Sequence, residues 1–210
     1  MTYLLTAGPT REPLDPVRYL SNHSSGKMGY AIAAAAVKAG HRVILVSGPT
    51  TIEVPEGVDF IPVETAAEMS EAVGYWITKA EVAIFTAAVA DFRAKEVSSQ
   101  KIKKKVDQES LTIELVKNPD ILKEARALHN FNGLLVGFAA ETENLIENAQ
   151  AKLKRKGCDL ILANDVSENV FGSDENTLIA VYEDTIEELG TNTKEQLGKV
   201  IIKLCDEMKN

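Results

Sequence analysis

The sequence predicts a three-layer α/β domain: a mostly parallel sheet with helices on both faces and an inserted flap. Three observations predict it. Continuous apolar, often β-branched runs such as Val43-Ile44-Leu45-Val46, Val82-Ala83-Ile84-Phe85 and Leu160-Ile161-Leu162-Ala163 suit strands buried on both faces. They alternate with segments of helical length and pattern. No internal repeat and no linker rich in Gly, Ser or Pro divides the 210 residues, so residues 1–210 are expected to form one domain, with a flap at about 92–116.

In chain order, Tyr3–Thr6 is a buried strand and Gly8 to Ser25 a long polar loop. Alanine-rich Gly26–Lys38 is a helix stopped by Gly40. Arg42–Val46 is a strand that ends at Ser47-Gly48-Pro49, and Phe60–Val63 is a weaker one. Thr65 caps a helix over Ala66–Lys79, with Glu68 at capping-box spacing. Val82–Phe85 is the next strand. Polar, lysine-rich Val89–Glu109 breaks the rhythm, and Leu111–Leu115 alternates as an exposed strand would. Asp120–His129 is a helix entered through Asn118 and Pro119. Leu134–Phe138 is a strand, Asn144–Lys156 a helix closed by Gly157, and Leu160–Ala163 and Thr177–Tyr182 are strands. Lys194–Met208 closes the chain as an amphipathic helix. This is a Rossmann-like order, in which ligands bind beyond the carboxyl ends of the strands.

Composition excludes several functions. The net charge of −8 argues against nucleic-acid binding. No apolar run reaches the roughly 18 residues of a membrane span, and Met1–Gly8 lacks the basic start of a signal peptide. A cytoplasmic location follows as the expectation. The two cysteines, Cys158 and Cys205, form no CxxC pair, and the scattered His23, His41 and His129 do not suggest a metal site.

Chemistry concentrates in the loops after the strands. Ser24 and Ser25 suit helix N-caps, and Gly26 and Gly29 allow close approach of backbone to ligand. A helix start of this kind suits an anion such as phosphate; a tight strand-to-helix turn needs the same residues. The string is neither a P-loop nor a GxGxxG fingerprint, because Gly26-Lys27 runs into Met28 and Ser47-Gly48-Pro49 lacks a ribose-binding acid. Tyr75 and Lys79 match the YxxxK pattern of short-chain dehydrogenases but precede the fourth strand, too early for that role. Thr86-Ala87-Ala88-Val89-Ala90-Asp91 follows a buried strand, and its small residues let a base or sugar lie on the backbone. Asp91 is placed either to contact a ligand or metal or to cap a turn. The basic run Lys101–Lys105 suits a flap closing on a triphosphate. Lys152 and Lys156 share one helix face, within reach of a phosphate or simply solvated.

In this order, the strings Ala7–Asp15, Ser21–Gly29, Ala87–Arg93, Lys101–Lys104, Val116–Ile121, Val136–Thr142 and Ala163–Val166 resemble the phosphopantothenoylcysteine synthetases, in bacteria the second half of a bifunctional flavoprotein. The resemblance implies a ligase that activates 4′-phosphopantothenate with CTP, or ATP, to an acyl-nucleotide, releases pyrophosphate, and passes the acyl group to L-cysteine. Mg²⁺ accompanies the triphosphate, with its ligands left unassigned. The resemblance also implies a homodimer. This chain starts at the synthetase half, so no flavin is expected. By the same resemblance, Asn22 handles the acyl-cytidylate and Lys101 the triphosphate, with Ala88 beside the substrate. Gly8, Ser24, Ser25, Gly26 and Gly29 belong to the nucleotide loop. Phe85, Thr86 and Ala87 face the base. Asp91, Pro119, Asp120, Ile121, Leu122, Phe138, Lys152 and Lys156 complete the nucleotide contacts. Two rival readings share the sheet: an NAD(P)-dependent oxidoreductase, and a nucleotide-binding regulator without catalysis.

Overall fold

The computed structural model describes residues 1–104, 108–165 and 173–209. Lys105 of the basic run and Val166 of the Ala163–Val166 string lie outside them. An eight-stranded sheet is built from β1 (Thr2–Ala7), β4 (Arg42–Ser47), β5 (Val58–Pro62), β6 (Val82–Phe85), β9 (Leu134–Glu141), β10 (Leu160–Asp165), β11 (Glu175–Val181) and β12 (Ile186–Thr193). Two further pairs stand apart: β2 (Arg11–Asp15) with β3 (Arg18–Ser21), and β7 (Phe92–Ala94) with β8 (Leu115–Lys117). The helices are α1 (Lys27–Lys38), α2 (Ala66–Trp76), α3 (Ile121–Ala127), α4 (Leu145–Lys156) and α5 (Lys194–Lys209).

The sheet order is β12-β11-β10-β9-β6-β1-β4-β5. Pairs from β5 through β10 are parallel, and β11 and β12 add antiparallel at one edge. Strand side chains alternate between two buried faces. Tyr3, Leu5, Val43, Leu45, Ile84 and Leu162 meet α1 and α5, while Leu4, Ile44, Ala83, Leu135 and Ile161 meet α2, α3 and α4. Each of these buried Val, Leu and Ile side chains stabilises the fold by about 1.5–3 kcal/mol. That double burial is why the strands read as unbroken apolar runs. The expected three-layer, mostly parallel architecture is therefore present. Cys158 and Cys205 are buried free thiols, and burial pushes each up to about 12. No helix among the described residues is long and apolar enough to cross a membrane.

Several local expectations change. The Gly8–Ser25 segment contains the β2–β3 hairpin, secured by buried carboxylates that act over long sequence distances. Glu12 Oε1 accepts from Ala66 N at the start of α2 (2.9 Å). Asp15 accepts from Val17 N (2.8 Å), Arg18 N (3.0 Å) and Ile102 N (3.1 Å), and pairs with the Arg18 guanidinium. Burial opposes the Asp15 charge, but those donors outweigh it and hold the carboxyl at about 2. In the flap, Leu115–Lys117 pairs with Phe92–Ala94, and Leu111–Glu114 is not strand, because the register places Leu115 opposite Ala94. The α2 capping box forms as predicted, although the helix tightens to a 3₁₀ turn at Ile77–Lys79. β12 was not foreseen. Its residues are nearly all exposed, so no apolar periodicity marks it.

Candidate active site

Strand order reverses between β1 and β6: the chain continues to β4 and β5 on one side and to β9 and β10 on the other. At such a switch point the loops diverge and leave a crevice. Here a parallel bridge between Pro9 and Ala88 carries the β1 and β6 exits outward together. The two exits are locked by short bonds. Thr86 Oγ1 donates to Thr6 O (2.7 Å), Ala88 N to Gly8 O (3.0 Å), and Ala90 N to Thr10 Oγ1 (3.0 Å).

Two cavities open on the crevice. The first, about 410 Å³, is lined by Phe85, Pro119, Asp120, Ile121, Leu122 and Lys156, with Thr6, Met69, Val89, Ala90, Phe92, Lys117 and Asn118. The second, about 330 Å³, is lined by Ser24, Ser25, Gly26, Gly29, Thr86 and Ala88, with Lys27, Met28, Ala140, Asn164, Asn176 and Lys194. Ala87, Val89, Asp91, Phe138 and Lys152 line both, so the two are one bent groove.

In the first cavity Asp120, rather than Asn118, caps α3, and Pro119 precedes the cap instead of opening the helix; Asp120 Oδ1 accepts from Lys123 N (3.2 Å). Asn118 is diverted because its Nδ2 donates to Ala90 O (2.8 Å), stitching the cavity wall. Asp120 also pairs with Lys156. Burial would raise the Asp120 carboxyl, but Lys156 and the Lys123 N–H outweigh it, and the net shift is downward. Lys152 Nζ donates to Phe138 O (2.6 Å). Burial, then the neighbouring Lys156 charge, lowers its pKa below the ordinary lysine value.

In the second cavity α1 begins at Lys27. Gly26, at φ +80°, is the N-cap, and neither serine caps the helix. The left-handed turn at Gly26 moves the helix start beyond the serines, whose hydroxyls instead approach Gly26 N (3.3 Å) and Lys27 N (3.5 Å). Gly29 lies against the strand exits: a Cβ there would stand 2.5 Å from Thr86 Oγ1 and 2.6 Å from Ala7 Cβ. Only glycine lets the helix start this close to the groove.

Three expected site residues line neither cavity. Asn22 is exposed on the rim, with Nδ2 donating to Ala88 O (2.8 Å). Gly8 supports the crevice from behind, accepting from Ala88 N. Lys101 is exposed in the flap; its neighbour Ile102 is tied to Asp15 and, through its carbonyl, to Arg18 Nη2 (2.7 Å). Lys117, Asn164, Asn176 and Lys194 were not singled out as ligand-binding, though all line the groove. A lysine in the first turn of a helix opposes the helix dipole, and that anomaly was the available signal for Lys194. Tyr75 and Lys79 do not reach the groove. The Lys79 ammonium lies 3.7 Å from the Tyr75 ring centroid, just before the amino end of β6.

A family model described as the DNA/pantothenate metabolism flavoprotein C-terminal domain matches residues 1–208. The chain belongs to that family. The chain is similar to the coenzyme A biosynthesis bifunctional protein CoaBC of Escherichia coli (strain K12), 50% identical over 205 residues, 96% of this chain and 50% of that protein. The corresponding protein of Bacillus subtilis (strain 168) is 48% identical over 184 residues, 86% of this chain and 45% of that protein. The chain thus spans about half the length of the curated relatives it matches. A crystal structure of the C-terminal domain of CoaBC superposes with a TM-score of 0.83 at 42% identity, covering 99% of this chain and 94% of that one.

Proposed function

We propose that this chain is a phosphopantothenoylcysteine synthetase, joining 4′-phosphopantothenate to L-cysteine through an acyl-cytidylate. The observation that carries the reading is the bent groove at the β1–β6 switch point, with a half-apolar arm and an arm of helix-start N–H groups and ammonium groups. The match to a half of proteins named for coenzyme A biosynthesis supports it.

In the first step a substrate carboxylate oxygen attacks the α-phosphorus of CTP. The O–P bond forms as the bond to the β-phosphate oxygen breaks, and pyrophosphate leaves. In the second, the cysteine amine attacks the acyl carbon. The C–N bond forms, the acyl–oxygen bond breaks, CMP departs and the amine loses a proton. The protein's part is positioning and charge compensation. Phe85, Pro119, Asp120, Ile121, Leu122 and Lys156 hold the nucleoside. Thr86, Ala87, Phe138 and Lys152 form the bend where the α-phosphate sits. Ser24, Ser25, Gly26 and Gly29 offer their N–H groups to the phosphates, with Gly8 as support. Asn22, hinged on Ala88, holds the acyl-nucleotide for the amine, and Lys101 reaches the triphosphate when the flap closes.

Among the described residues no cluster of three or more His, Cys, Asp or Glu could hold a metal. Asp91, a carboxylate facing both arms, fits a Mg²⁺ held mainly by phosphate oxygens and water. That ion would neutralise triphosphate charge. CTP is the proposed nucleotide, with ATP as its competitor. The proposed working form is a cytoplasmic homodimer of single-domain chains, each with its flap, and Val17 and Tyr19 exposed on the β2–β3 hairpin suit contact with a second copy.

Purified chain, 4′-phosphopantothenate, cysteine and either CTP or ATP in a pyrophosphate-release assay test the reading. Pyrophosphate without cysteine and amide only with it are expected. Absence of both products with either nucleotide would falsify it, as would nucleotide binding without turnover.

A further inference from the structure

We propose that Lys194, with the Asn176 amide beside it, is a nucleotide-contacting residue that takes the terminal phosphates at the far end of the second cavity. The inference rests on the function proposed above and extends the site to the C-terminal elements, β11 and α5.

Lys194 is 9% exposed and Asn176 is 7% exposed, and both line the second cavity together with the Ser24–Gly29 turn. A lysine this buried is ordinarily paired with a carboxylate. Among the described residues Lys194 forms no ion pair within 4 Å; its ammonium donates to the carbonyl of Ser173. The nearby Asp174 is engaged by Lys27, whose Nζ lies 2.6 Å from Asp174 Oδ1. Glu195, the next residue, pairs with Lys199 (3.1 Å). Burial, then the Lys27 charge, lowers the Lys194 pKa.

The position compounds this cost. Lys194 is the first residue of α5 and Lys27 the first of α1, two helices packed on the same sheet face. Each helix start carries the positive end of its dipole, where a cation is unfavourable. The chain has thus gathered the Lys194 ammonium and two helix starts around one cavity, with Lys152 at the bend that joins it to the first. An anion of several charges removes the conflict. Asn176 Oδ1 accepts from Thr177 N (3.0 Å), which leaves its N–H₂ group as a neutral donor there. With the nucleoside in the first cavity and the α-phosphate at the bend, the β- and γ-phosphates fall on this wall.

Calorimetric titration of the full chain with Mg²⁺–CTP and, separately, CMP decides the matter. Lys194→Gln is expected to weaken CTP about tenfold or more and leave CMP within about twofold. Lys194→Arg should keep most of the CTP affinity. Asn176→Asp, which keeps the shape and adds a negative charge, should also weaken CTP while sparing CMP. Equal CTP affinity in folded Lys194→Gln and wild type overturns the assignment, as does parallel weakening of CTP and CMP. Should Lys194→Gln not fold, Asn176→Asp decides on the same terms. If the wild type turns over ATP instead, ATP and AMP replace the two ligands. A wild type that binds neither triphosphate overturns this assignment and the proposed function together; normal wild-type turnover with an indifferent Lys194→Gln overturns this one alone.

Discussion

The two arms of the groove handle charge in opposite ways. In the first, the main cation is already matched: Lys156 pairs with Asp120, and Asp120 also caps α3. In the second, Lys194 and two helix starts converge with no carboxylate on Lys194 among the described residues. A pre-paired arm is shaped for a neutral, flat group and loses little when empty. An arm with surplus positive charge is poised for an anion and is destabilised without one. The asymmetry matches a nucleotide, which is neutral at the base and anionic at the phosphates.

Perturbations of residues at different distances from the reacting bonds sharpen the contrast. The largest effect is expected at Lys101: if its ammonium meets the triphosphate in the transition state, Lys101→Gln should cut pyrophosphate release about 10²-fold or more. Unchanged release would remove the flap from the chemistry. Asn22→Asp should separate the half-reactions, with pyrophosphate release largely kept and amide formation down about 10²-fold; an equal loss of both would make Asn22 a general binding residue. At the pre-paired arm, Lys156→Met should raise the KM for CTP about tenfold with kcat little changed, the pattern of uniform binding. A kcat effect alone would place Lys156 at the reacting phosphate instead.

The smallest effect concerns the tether. Asp15 holds the flap at Ile102, beside Lys101, and its carboxyl sits at about 2 in the folded protein. Its unfolded value is about 3.9. A depressed folded value means that the stabilisation is complete above about pH 4 and is lost as pH falls through about 2. Limited proteolysis of the flap should therefore accelerate in Asp15→Asn at neutral pH, with a few-fold fall in pyrophosphate release. Equal cleavage of the variant and wild type would show that the flap is held elsewhere.

The apolar strands of the sheet were legible because they obey a local rule, apolar runs alternating with helix spacing, and placement at a strand end pointed to Ala87 and Asp91. Phe85 and Phe138 came as nucleotide contacts only through the family resemblance, and on its residues Lys152 left a phosphate contact and a solvated charge both open. The β2–β3 hairpin was not legible, since Arg11–Ser21 contains Pro13 and Pro16 and draws its order from Glu12, which accepts from the first N–H of a helix 54 residues away. β12 is an edge strand whose exposed Glu187 and Glu188 discourage further pairing and also erase any apolar period. Ser24 and Ser25 were displaced as caps because the turn at Gly26 sets the helix start, which composition cannot reveal. Lys194 stands in the sequence only as the first residue of an amphipathic helix; burial distinguishes it, and burial is a property of the whole fold.

The sealed thiols have a consequence for a protein whose proposed co-substrate is free cysteine. Cysteine solutions oxidise to cystine, and cystine attaches to proteins only through a thiolate. Burial keeps Cys158 and Cys205 protonated, each up to about 12, so neither offers the nucleophile that such exchange requires. The fold is thereby insulated from the redox state of the amino acid it is proposed to consume.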